Sequence, residues 1–375
     1  MNSRLKVLTV VGTRPEIIRL AATIKRLDKY TDHVLVHTGQ NYDYELNEVF
    51  FEDLGLRKPD YFLEADTSSL GSVLGSILTK IEDVLTIERP DAFLVLGDTN
   101  SCISALMAKR MKIPVYHMEA GNRCFDDNVP EETNRRMVDH IADYNLVYTE
   151  HARRNLLAEG LHPARIGLTG SPMREVLDET AGAIAQSDVL KEQGLHPGRY
   201  FLVSVHREEN VDNPTRLTAV LSALSELSST YDLPILVSTH PRTLKRLDSQ
   251  PDSLKAGIIF HPPFGFNDYI KLQKSAKLVL SDSGTISEES TLLGFPAITL
   301  RDAIERPEAM DVGGIITAGV DSQAVLTAVS ATLQQFEVDG PTAVPTDYAI
   351  SDASRRAVNF ILSTAKSHNS RNGIR

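Results

Sequence analysis

The stretch LKVLTVVGTRPE, residues 5–16, decides the fold class, because a short apolar run passes through a glycine turn into the start of a helix. The Val- and Leu-rich run predicts a strand that is covered on both faces of a parallel sheet. Gly12 allows the tight turn, and Pro15 suits the first turn of a helix. A helix N-terminus after such a turn can bind an anion, and Arg14 is available to pair with it. The alternative is a plain strand-to-helix turn with an exposed Arg14.

The same alternation of apolar runs and amphipathic stretches continues along the chain and predicts parallel strands connected by helices. The predicted strands are 5–11, 33–38, 92–96, 115–118 and 146–148 in the first half, and 200–205, 235–238, 257–260, 278–281 and 297–299 in the second. The fold class that follows is α/β, with two Rossmann-like doubly wound domains facing across a cleft. Ligands of such open sheets bind beyond the carboxyl ends of the strands, so the residues that follow strands are the candidates for function.

The length of 375 residues exceeds what one hydrophobic core usually supports. We predict an N-terminal domain over 1–172 that carries acid and base residues, and a C-terminal ligand-binding domain over 199–345. Residues 173–198 mix helix formers with scattered Gly and Pro and are predicted to form a linker. The segment 346–375 is predicted to form a helix that packs back toward the first domain.

A net charge of −11, from 50 acidic and 39 basic residues, argues against a basic surface for nucleic acid. Any anionic ligand must therefore be bound by a local arrangement of Arg, Lys and backbone N–H groups. Cys102 and Cys124 form neither a CxxC pair nor a Cys/His cluster, so no metal site is predicted. The N-terminal apolar run is too short for a membrane helix and lacks a cleavage site, so we expect a cytoplasmic protein that does not bind membranes.

Three carboxylates follow predicted strands of the first half. Asp98 lies in GDTNS, Glu119 lies in EAGNR, and Glu131 opens the helix of PEETNRR. Carboxylates held together in a partly dry cleft repel one another, which raises at least one pKa and prepares general acid and base roles. The alternatives are that Asp98 caps the next helix and that Glu131 only occupies a favourable first helical turn.

Polar residues also follow strands of the second half. His206 and Arg207 come after the strand 200–205, where a histidine can transfer a proton or contact a phosphate. His240 follows the next strand and is a weaker candidate.

A small-residue turn, Ser283-Gly284-Thr285, opens a later helix and is typical of a phosphate cradle. Glu289, farther along that helix, can accept hydrogen bonds from ribose hydroxyls, and Arg306 lies in a polar loop downstream. The alternative for this segment is a capped helix followed by a charged loop.

Eight motifs occur in order across residues 12–308: GTRPE, HTGQ, GDTNS, EAGNR, PEETNRR, HREEN, SDSGTISEES and RDAIERPE. Together they resemble the non-hydrolysing UDP-N-acetylglucosamine 2-epimerases, which adopt the glycosyltransferase-B fold. The segment GNRCFDDNVPEETNRR, residues 121–136, is most similar to a subgroup that forms UDP-N-acetyl-L-fucosamine for capsule or O-antigen synthesis. In that subgroup the substrate is UDP-2-acetamido-2,6-dideoxy-L-talose, and C2 is inverted.

The resemblance implies a reaction by anti elimination of UDP and its re-addition through a 2-acetamidoglycal, which requires no cofactor. It implies acid–base roles for Asp98, Glu119 and Glu131, and a phosphate or proton role for His206. It further implies a homodimer and a second domain that binds UDP, with Phe266 or Tyr269 stacking on the uracil. The remaining residues implied to bind substrate or UDP are Arg14, Arg19, Gln40, Arg123, Arg207, Ser283, Gly284, Thr285, Glu289 and Arg306.

Three features of the chain depart from the family pattern. Arg19 stands where the family commonly has Lys, Thr285 replaces the second Gly of an SGG turn, and the segment between EAG and PEE differs from that of the N-acetylglucosamine-specific enzymes. These differences favour the 6-deoxy-L-talo sugar. The alternatives are the UDP-N-acetylglucosamine to UDP-N-acetylmannosamine epimerase, a hydrolysing relative, a glycosyltransferase on the same architecture and a non-catalytic nucleotide-sugar sensor.

Overall fold

Parallel strands form the framework of the protein in a computed structural model that describes residues 4–39, 44–239, 241–247 and 250–374. Within these residues the strands are β1 (Lys6–Val11), β2 (Asp32–His37), β3 (Tyr61–Phe62), β4 (Ala92–Leu96), β5 (Val115–Met118), β6 (Tyr144–Val147), β7 (Ile166–Leu168), β8 (Phe201–Ser204), β9 (Ile235–Ser238), β10 (Ile258–His261), β11 (Leu278–Ser281), β12 (Ala297–Thr299) and β13 (Ile316–Thr317).

Helices connect the strands and close the chain, with short 3-10 turns at Asn100–Ser104, Pro163–Arg165 and Asp252–Lys255. In the described residues the α-helices are α1 (Arg14–Tyr30), α2 (Tyr44–Asp53), α3 (Leu70–Glu88), α4 (Ala105–Arg110), α5 (Pro130–Ile141), α6 (Glu150–Ala158), α7 (Met173–Gln186), α8 (Val189–Glu192), α9 (Glu208–Val211), α10 (Pro214–Tyr231), α11 (Pro241–Leu247), α12 (Phe266–Ser275), α13 (Ile286–Leu293), α14 (Glu308–Asp311), α15 (Ser322–Asp339) and α16 (Ala353–Arg371).

The described strands form two sheets with the same order of crossovers. The first runs β3-β2-β1-β4-β5-β6-β7 and the second runs β10-β9-β8-β11-β12-β13. All pairings are parallel, and in each sheet the order reverses beside the unit's first strand, as in Rossmann-type folds. The prediction of two doubly wound α/β units is therefore confirmed, and two such units in one chain are the glycosyltransferase-B fold that the resemblance implies.

Contacts along the chain divide it into two compact units. The first comprises residues 1–179 and 346–375, and the second comprises 180–345. The segment 173–198, predicted to be a linker, contains helices α7 and α8, and the division falls inside α7. Ser187, after α7, donates a hydrogen bond to Asp268 at 2.6 Å.

Helix α16 packs within the first unit. Its Phe360 ring lies 5.4 Å from the Tyr144 ring in an edge-to-face arrangement, and Thr364 bonds the Tyr116 hydroxyl at 2.7 Å. Near its start, Ser354 accepts a hydrogen bond from Nε of Arg26 on α1 at 2.8 Å. The last helix therefore covers apolar surface of β5 and β6.

Each sheet is buried by apolar side chains from its strands and covering helices. Val10, Val36 and Val95 belong to the core of the first unit, and Val203 and Leu280 to that of the second. Cys102 and Cys124 are buried free thiols. Among the described helices, none is long and apolar enough to cross a membrane.

Candidate functional site

The predicted carboxylates of the first unit follow neighbouring strands at one edge of the sheet. Strands β4 and β5 pair with Leu96 opposite Met118, and the Gly97 N–H bonds the Met118 carbonyl at 3.0 Å. Asp98 and Glu119 therefore leave the sheet side by side. The register of two parallel strands is enough to bring these carboxylates to the same edge, as the sequence predicts.

Glu119 is paired with Arg19. The Arg19 guanidinium on α1 forms an ion pair with Glu119 Oε2, and their side chains are 4% and 13% exposed. Asn122 donates to the other oxygen of Glu119 at 3.3 Å. Glu119 also has a φ of +64°, a strained conformation for a residue with a side chain. Arg19, which is predicted to bind substrate, therefore forms its ion pair with the carboxylate of Glu119 in this structure.

Asp98 has an arginine partner that the sequence analysis did not identify. Arg135 on α5 donates from Nε to Asp98 Oδ2 at 2.9 Å, and its Nη2 forms an ion-pair contact with the same oxygen at 2.6 Å. Its Nη1 donates to Glu132 at 3.1 Å, and the whole side chain is buried. The sequence does hold a signal for Arg135, because it lies in PEETNRR one helical turn after Glu131 and Glu132. Residues three or four apart share a helix face, so Arg135 is expected on the same face as this acidic pair.

The two glutamates that open α5 have different environments. Glu132 is buried and accepts hydrogen bonds from the Cys124 N–H at 3.1 Å and from Arg136 at 2.9 Å. Burial alone would raise its pKa, but these hydrogen bonds and the charge of Arg135 hold the pKa of Glu132 below its ordinary value. Glu132 therefore anchors the preceding loop, whereas Glu131 is only half-buried in the first turn.

The turn after β1 is filled by the chain's own carboxylate. Glu16 accepts hydrogen bonds from the backbone N–H groups of Gly12 and Thr13, both at 2.7 Å, as in a capping box. Its other oxygen accepts from Thr99 at 2.9 Å and from Ser101. Burial raises the pKa of Glu16, although these hydrogen bonds oppose the shift. The prediction that this turn offers its N–H groups to a ligand anion is corrected, because Glu16 already occupies them.

Arg14 and Arg123 lie in contrasting environments. Arg14 is half-buried at the start of α1, with its guanidinium 5.6 Å from the Phe50 ring centre. Arg123 has a fully buried side chain that donates to Asp139 at 2.7 Å and to both oxygens of Glu159 at 2.7 and 2.6 Å. The guanidinium of Arg123, which the resemblance implies to bind ligand, is therefore surrounded by acceptors of the protein in this structure.

In the second unit, Asp282 organises the turn that carries His206 and Arg207. This buried carboxylate accepts from the backbone N–H groups of both residues at 3.1 Å, and from Asn210 at 3.0 Å. The Nδ1 atom of His206 lies 3.2 Å from Asp282, and the side chain is 43% exposed. Since Nδ1 faces Asp282, Nε2 is the ring nitrogen left for a ligand.

The predicted cradle at Ser283-Gly284-Thr285 precedes α13 and faces Glu305. A Cβ on Gly284 would come within 2.4 Å of a Glu305 oxygen, so a larger residue would displace that carboxylate. Glu305 bonds Arg301 at 2.5 Å and Arg207 at 3.2 Å. The polar residues around the adjoining pocket are Ser283, Ser287, Thr299, Arg301, Glu305 and Arg306.

The remaining candidates of the second unit are more buried than the sequence suggests. Arg306 is paired with Glu288 at 2.8 Å, and Glu289 accepts from Gln273 at 2.6 Å. The Phe266 side chain is 4% exposed.

Tyr269 is half-buried, and burial together with the charge of Glu289 raises the pKa of its hydroxyl. Gln40 and His240 lie outside the described residues.

The family model described as UDP-N-acetylglucosamine 2-epimerase matches residues 25–362. The chain belongs to this family. Members of the UDP-N-acetylglucosamine 2-epimerase family are isomerases, and the protein is therefore an enzyme of that class.

Solved structures of the UDP-N-acetylglucosamine 2-epimerase family share the fold over nearly the whole chain. The enzyme from Rickettsia bellii is 48% identical, with a TM-score of 0.91 and 98% of each chain covered. The Methanocaldococcus jannaschii enzyme, crystallised with UDP-GlcNAc and UDP, is 37% identical, with a TM-score of 0.89, covering 96% of this chain and 100% of that one. A Pseudomonas aeruginosa UDP-2,3-diacetamido-2,3-dideoxy-D-glucuronate 2-epimerase is 34% identical over 95% of this chain and 99% of its own.

Proposed function

We propose that this isomerase inverts C2 of a UDP-linked N-acetyl-amino sugar. The observation that carries the proposal is the pair of carboxylates, Asp98 and Glu119, at the ends of adjacent parallel strands, each held by a buried arginine. Inversion at a carbon needs one group to remove a proton and another to deliver one, and carboxylates fixed by side chains of neighbouring helices can do both.

The proposed reaction proceeds by elimination and re-addition. A carboxylate of the set Asp98, Glu119 and Glu131 takes the C2 proton, its electron pair forms the C1–C2 double bond, and the bond from C1 to the UDP oxygen breaks toward UDP. The 2-acetamidoglycal then receives a proton at C2 on the opposite face from a second member of the set, while the UDP oxygen adds back to C1. Atoms and charge balance within this cycle, which consumes no oxidant and no water.

The groups of the second unit are proposed to retain UDP while it is detached. His206 presents Nε2 and Arg207 a guanidinium at one turn, and Ser283, Gly284 and Thr285 add the N-terminal end of α13. Positive groups and backbone N–H donors stabilise the charge that builds up on a departing diphosphate. For some residues, a role in ligand binding is proposed from the resemblance alone: Arg14, Gln40, Phe266, Tyr269, Glu289 and Arg306. The proposal does not include Arg123 among the ligand-binding residues.

For the sugar, we propose UDP-2-acetamido-2,6-dideoxy-L-talose, converted to UDP-N-acetyl-L-fucosamine. The support is the segment 121–136, which the structure anchors through Cys124 and Glu132 beside the carboxylates and which carries a 72% exposed Phe125. An exposed aromatic ring suits an apolar methyl at C6 better than a hydroxyl. UDP-N-acetylglucosamine is the second candidate, because the Rickettsia bellii and Methanocaldococcus jannaschii relatives bear its name.

The test is to incubate the enzyme with each sugar nucleotide separately in deuterated water. We expect deuterium at C2 of recovered substrate and product, with the 6-deoxy-L-talo sugar turned over at the higher kcat/KM. Free sugar accumulating without label at C2 would contradict the epimerase proposal. Faster turnover of UDP-N-acetylglucosamine would instead reverse only the choice of sugar.

We further propose that the enzyme is a homodimer. The support is the resemblance of the eight motifs to this family. Light scattering after size exclusion should give twice the mass of 41.4 kDa, and a single-chain mass would refute the proposal.

The cellular role that we propose is the supply of an activated amino sugar for capsule or O-antigen synthesis in the cytoplasm. The two buried free thiols, Cys102 and Cys124, fit a reducing compartment. Loss of N-acetyl-L-fucosamine from surface polysaccharide after deletion of the coding sequence would support this role, and an unchanged polysaccharide would refute it.

A further inference from the structure

A histidine with no exposed surface lies beneath the two turns that carry Asp98 and Glu119. His117 is in β5, and its Nε2 lies 2.8 Å from the Gly97 carbonyl oxygen. Its Nδ1 lies 2.8 Å from Oδ1 of Asp139, on α5, whose side chain is also fully buried. Since a carbonyl oxygen only accepts, Nε2 of His117 is the donor to Gly97.

The two hydrogen bonds of His117 connect it to the backbone near both proposed acid–base residues, directly at Gly97 and through Asp139 at Gly121. Gly97 directly precedes Asp98 and has a φ of +70°. On the other side, Asp139 accepts the backbone N–H of Gly121, two residues after Glu119, at 3.2 Å. The chain of contacts from Gly97 through His117 and Asp139 to Gly121 therefore joins the two turns underneath the carboxylates.

The Gly121 end of this connection has little freedom to move. Gly121 has a φ of +82°, and a Cβ there would lie 2.3 Å from the Ala152 carbonyl oxygen. Asn155 donates to the Gly121 carbonyl at 2.9 Å, so the turn is held from α6 as well. With Gly121 anchored, the His117 bond to the Gly97 carbonyl holds the Asp98 turn from beneath, alongside the bond from the Gly97 N–H to the Met118 carbonyl at 3.0 Å and that from Asn134 to the Asp98 carbonyl at 2.9 Å.

We propose that His117 and Asp139 are positioning residues that fix the spacing of Asp98 and Glu119 across the C2 carbon. The inference rests on the proposed function and goes beyond it, because neither side chain touches the reacting atoms. A shift of about 1 Å in a reacting group can lower a rate by roughly 100-fold. The hydrogen bonds through His117 and Asp139 support, from beneath, the direct bond from the Gly97 N–H to the carbonyl of Met118, the residue before Glu119.

Two substitutions separate the two hydrogen bonds of His117. In His117→Gln the amide nitrogen reaches the place of Nε2 and keeps the bond to Gly97. In His117→Asn the amide lies near Nδ1 and keeps only the bond to Asp139. If positioning acts through Gly97, we expect kcat for C2 inversion to fall about 100-fold in His117→Asn and only about 10-fold in His117→Gln, with KM within about threefold of wild type in both.

A matched control is available in the same unit. His368 on α16 is also buried and lies 3.3 Å from a carboxylate, Asp143, which precedes β6 at the opposite edge of the sheet. His368→Gln removes a comparable buried contact far from both turns. We expect this variant to lose thermal stability as the His117 variants do, while kcat stays within about threefold of wild type.

The deciding readout is the ratio of C2 deuterium in recovered substrate to that in product. When the carboxylates are misplaced, the C2 proton should more often be removed and replaced on the same face of the sugar than on opposite faces. Deuterium should therefore accumulate in recovered substrate relative to product in the His117 variants, and the ratio should stay at the wild-type value in His368→Gln. Folded His117 variants with wild-type kcat and ratio would overturn the inference, as would a loss of kcat that follows thermal stability equally at His117 and His368. If one His117 variant does not fold, the other is judged by the same criteria. Wild-type enzyme without any exchange would refute the proposed function itself.

Discussion

Arg135 contacts a single oxygen of Asp98 with two of its nitrogens: Nε donates a hydrogen bond at 2.9 Å, and Nη2 forms an ion-pair contact at 2.6 Å. The arginine lies on α5 and the aspartate lies in the turn after β4, so this contact connects the helix to that turn. A planar guanidinium fixes the direction of the carboxylate as well as its distance.

We predict that Arg135→Lys lowers kcat by about 10- to 100-fold, because an ammonium group cannot reproduce the two-point contact that orients Asp98. The neighbouring Arg136 offers the control, since it also contacts Glu132 but is 44% exposed. Steady-state kinetics of Arg136→Lys should match the wild type. Equal losses in both variants would show that the effect comes from Glu132 rather than from Asp98.

Removing an acid–base group should affect turnover rather than nucleotide binding. We expect Asp98→Asn and Glu131→Gln each to lower kcat by about 100- to 10,000-fold, with the Kd for UDP within about threefold of wild type. Isothermal titration with UDP and the deuterium exchange assay provide the two measurements. Asp178→Asn, at an exposed ion pair with Arg174, is the control. If either variant folded but no longer bound UDP, that residue would be assigned to UDP binding instead of acid–base chemistry.

Glu16→Gln should destabilise the first unit. Its carboxylate accepts from two backbone N–H groups and from the hydroxyls of Thr99 and Ser101, and an amide NH₂ would face donors. We predict that the free energy of unfolding falls by about 2 kcal/mol or more, measured by urea denaturation. The exposed Glu179, paired with Lys25, offers a control whose Gln variant should change stability by less than about 1 kcal/mol. Similar values for both would mean that the turn does not need the carboxylate.

Stability should fall as the pH drops from about 6.5 toward 4, in part because of His37. Burial lowers the pKa of His37 to about 4, so between these values the unfolded chain binds a proton that the folded protein does not. The effect is at most about 3 kcal/mol at this one site. His37→Asn, which keeps an acceptor for the Gly39 N–H now bound by Nδ1 at 3.0 Å, should flatten the pH dependence of urea denaturation.

The control for this measurement is His196→Gln, at an exposed position, which should leave the pH dependence unchanged. An equal flattening in both variants would assign the effect to solvent-exposed histidines in general. An unchanged slope in His37→Asn would mean that His37 does not contribute.

The sequence predicts the bounds of β4 and β5 as the structure has them, because each is a continuous apolar run that ends in a polar turn. It misses β3, β7 and β13, which have only two or three residues each and are too short to show a pattern. It predicts a linker over 173–198, where the structure has α7 and α8 and where the boundary between the two compact units lies.

At the site, the placement of Asp98 and Glu119 could be predicted because parallel strands carry their ends to one edge. Which arginine pairs with which carboxylate could not, since such partners come from helices far away in sequence. The surroundings of Arg123 could not be predicted either: it lies in the same motif as Glu119, but its side chain is buried against Asp139 and Glu159.

Residues 346–375 belong to the first unit, so the ribosome makes the last part of this unit at the end of translation. Residues 180–345 are made between two parts of the same compact unit, so the ribosome completes the second unit before the first has all of its residues. Until α16 emerges, the rings of Tyr116 and Tyr144 lack Phe360, and Arg26 lacks Ser354. The nascent protein therefore carries an uncovered apolar face from the synthesis of β6 until α16 is made, and such a face favours aggregation.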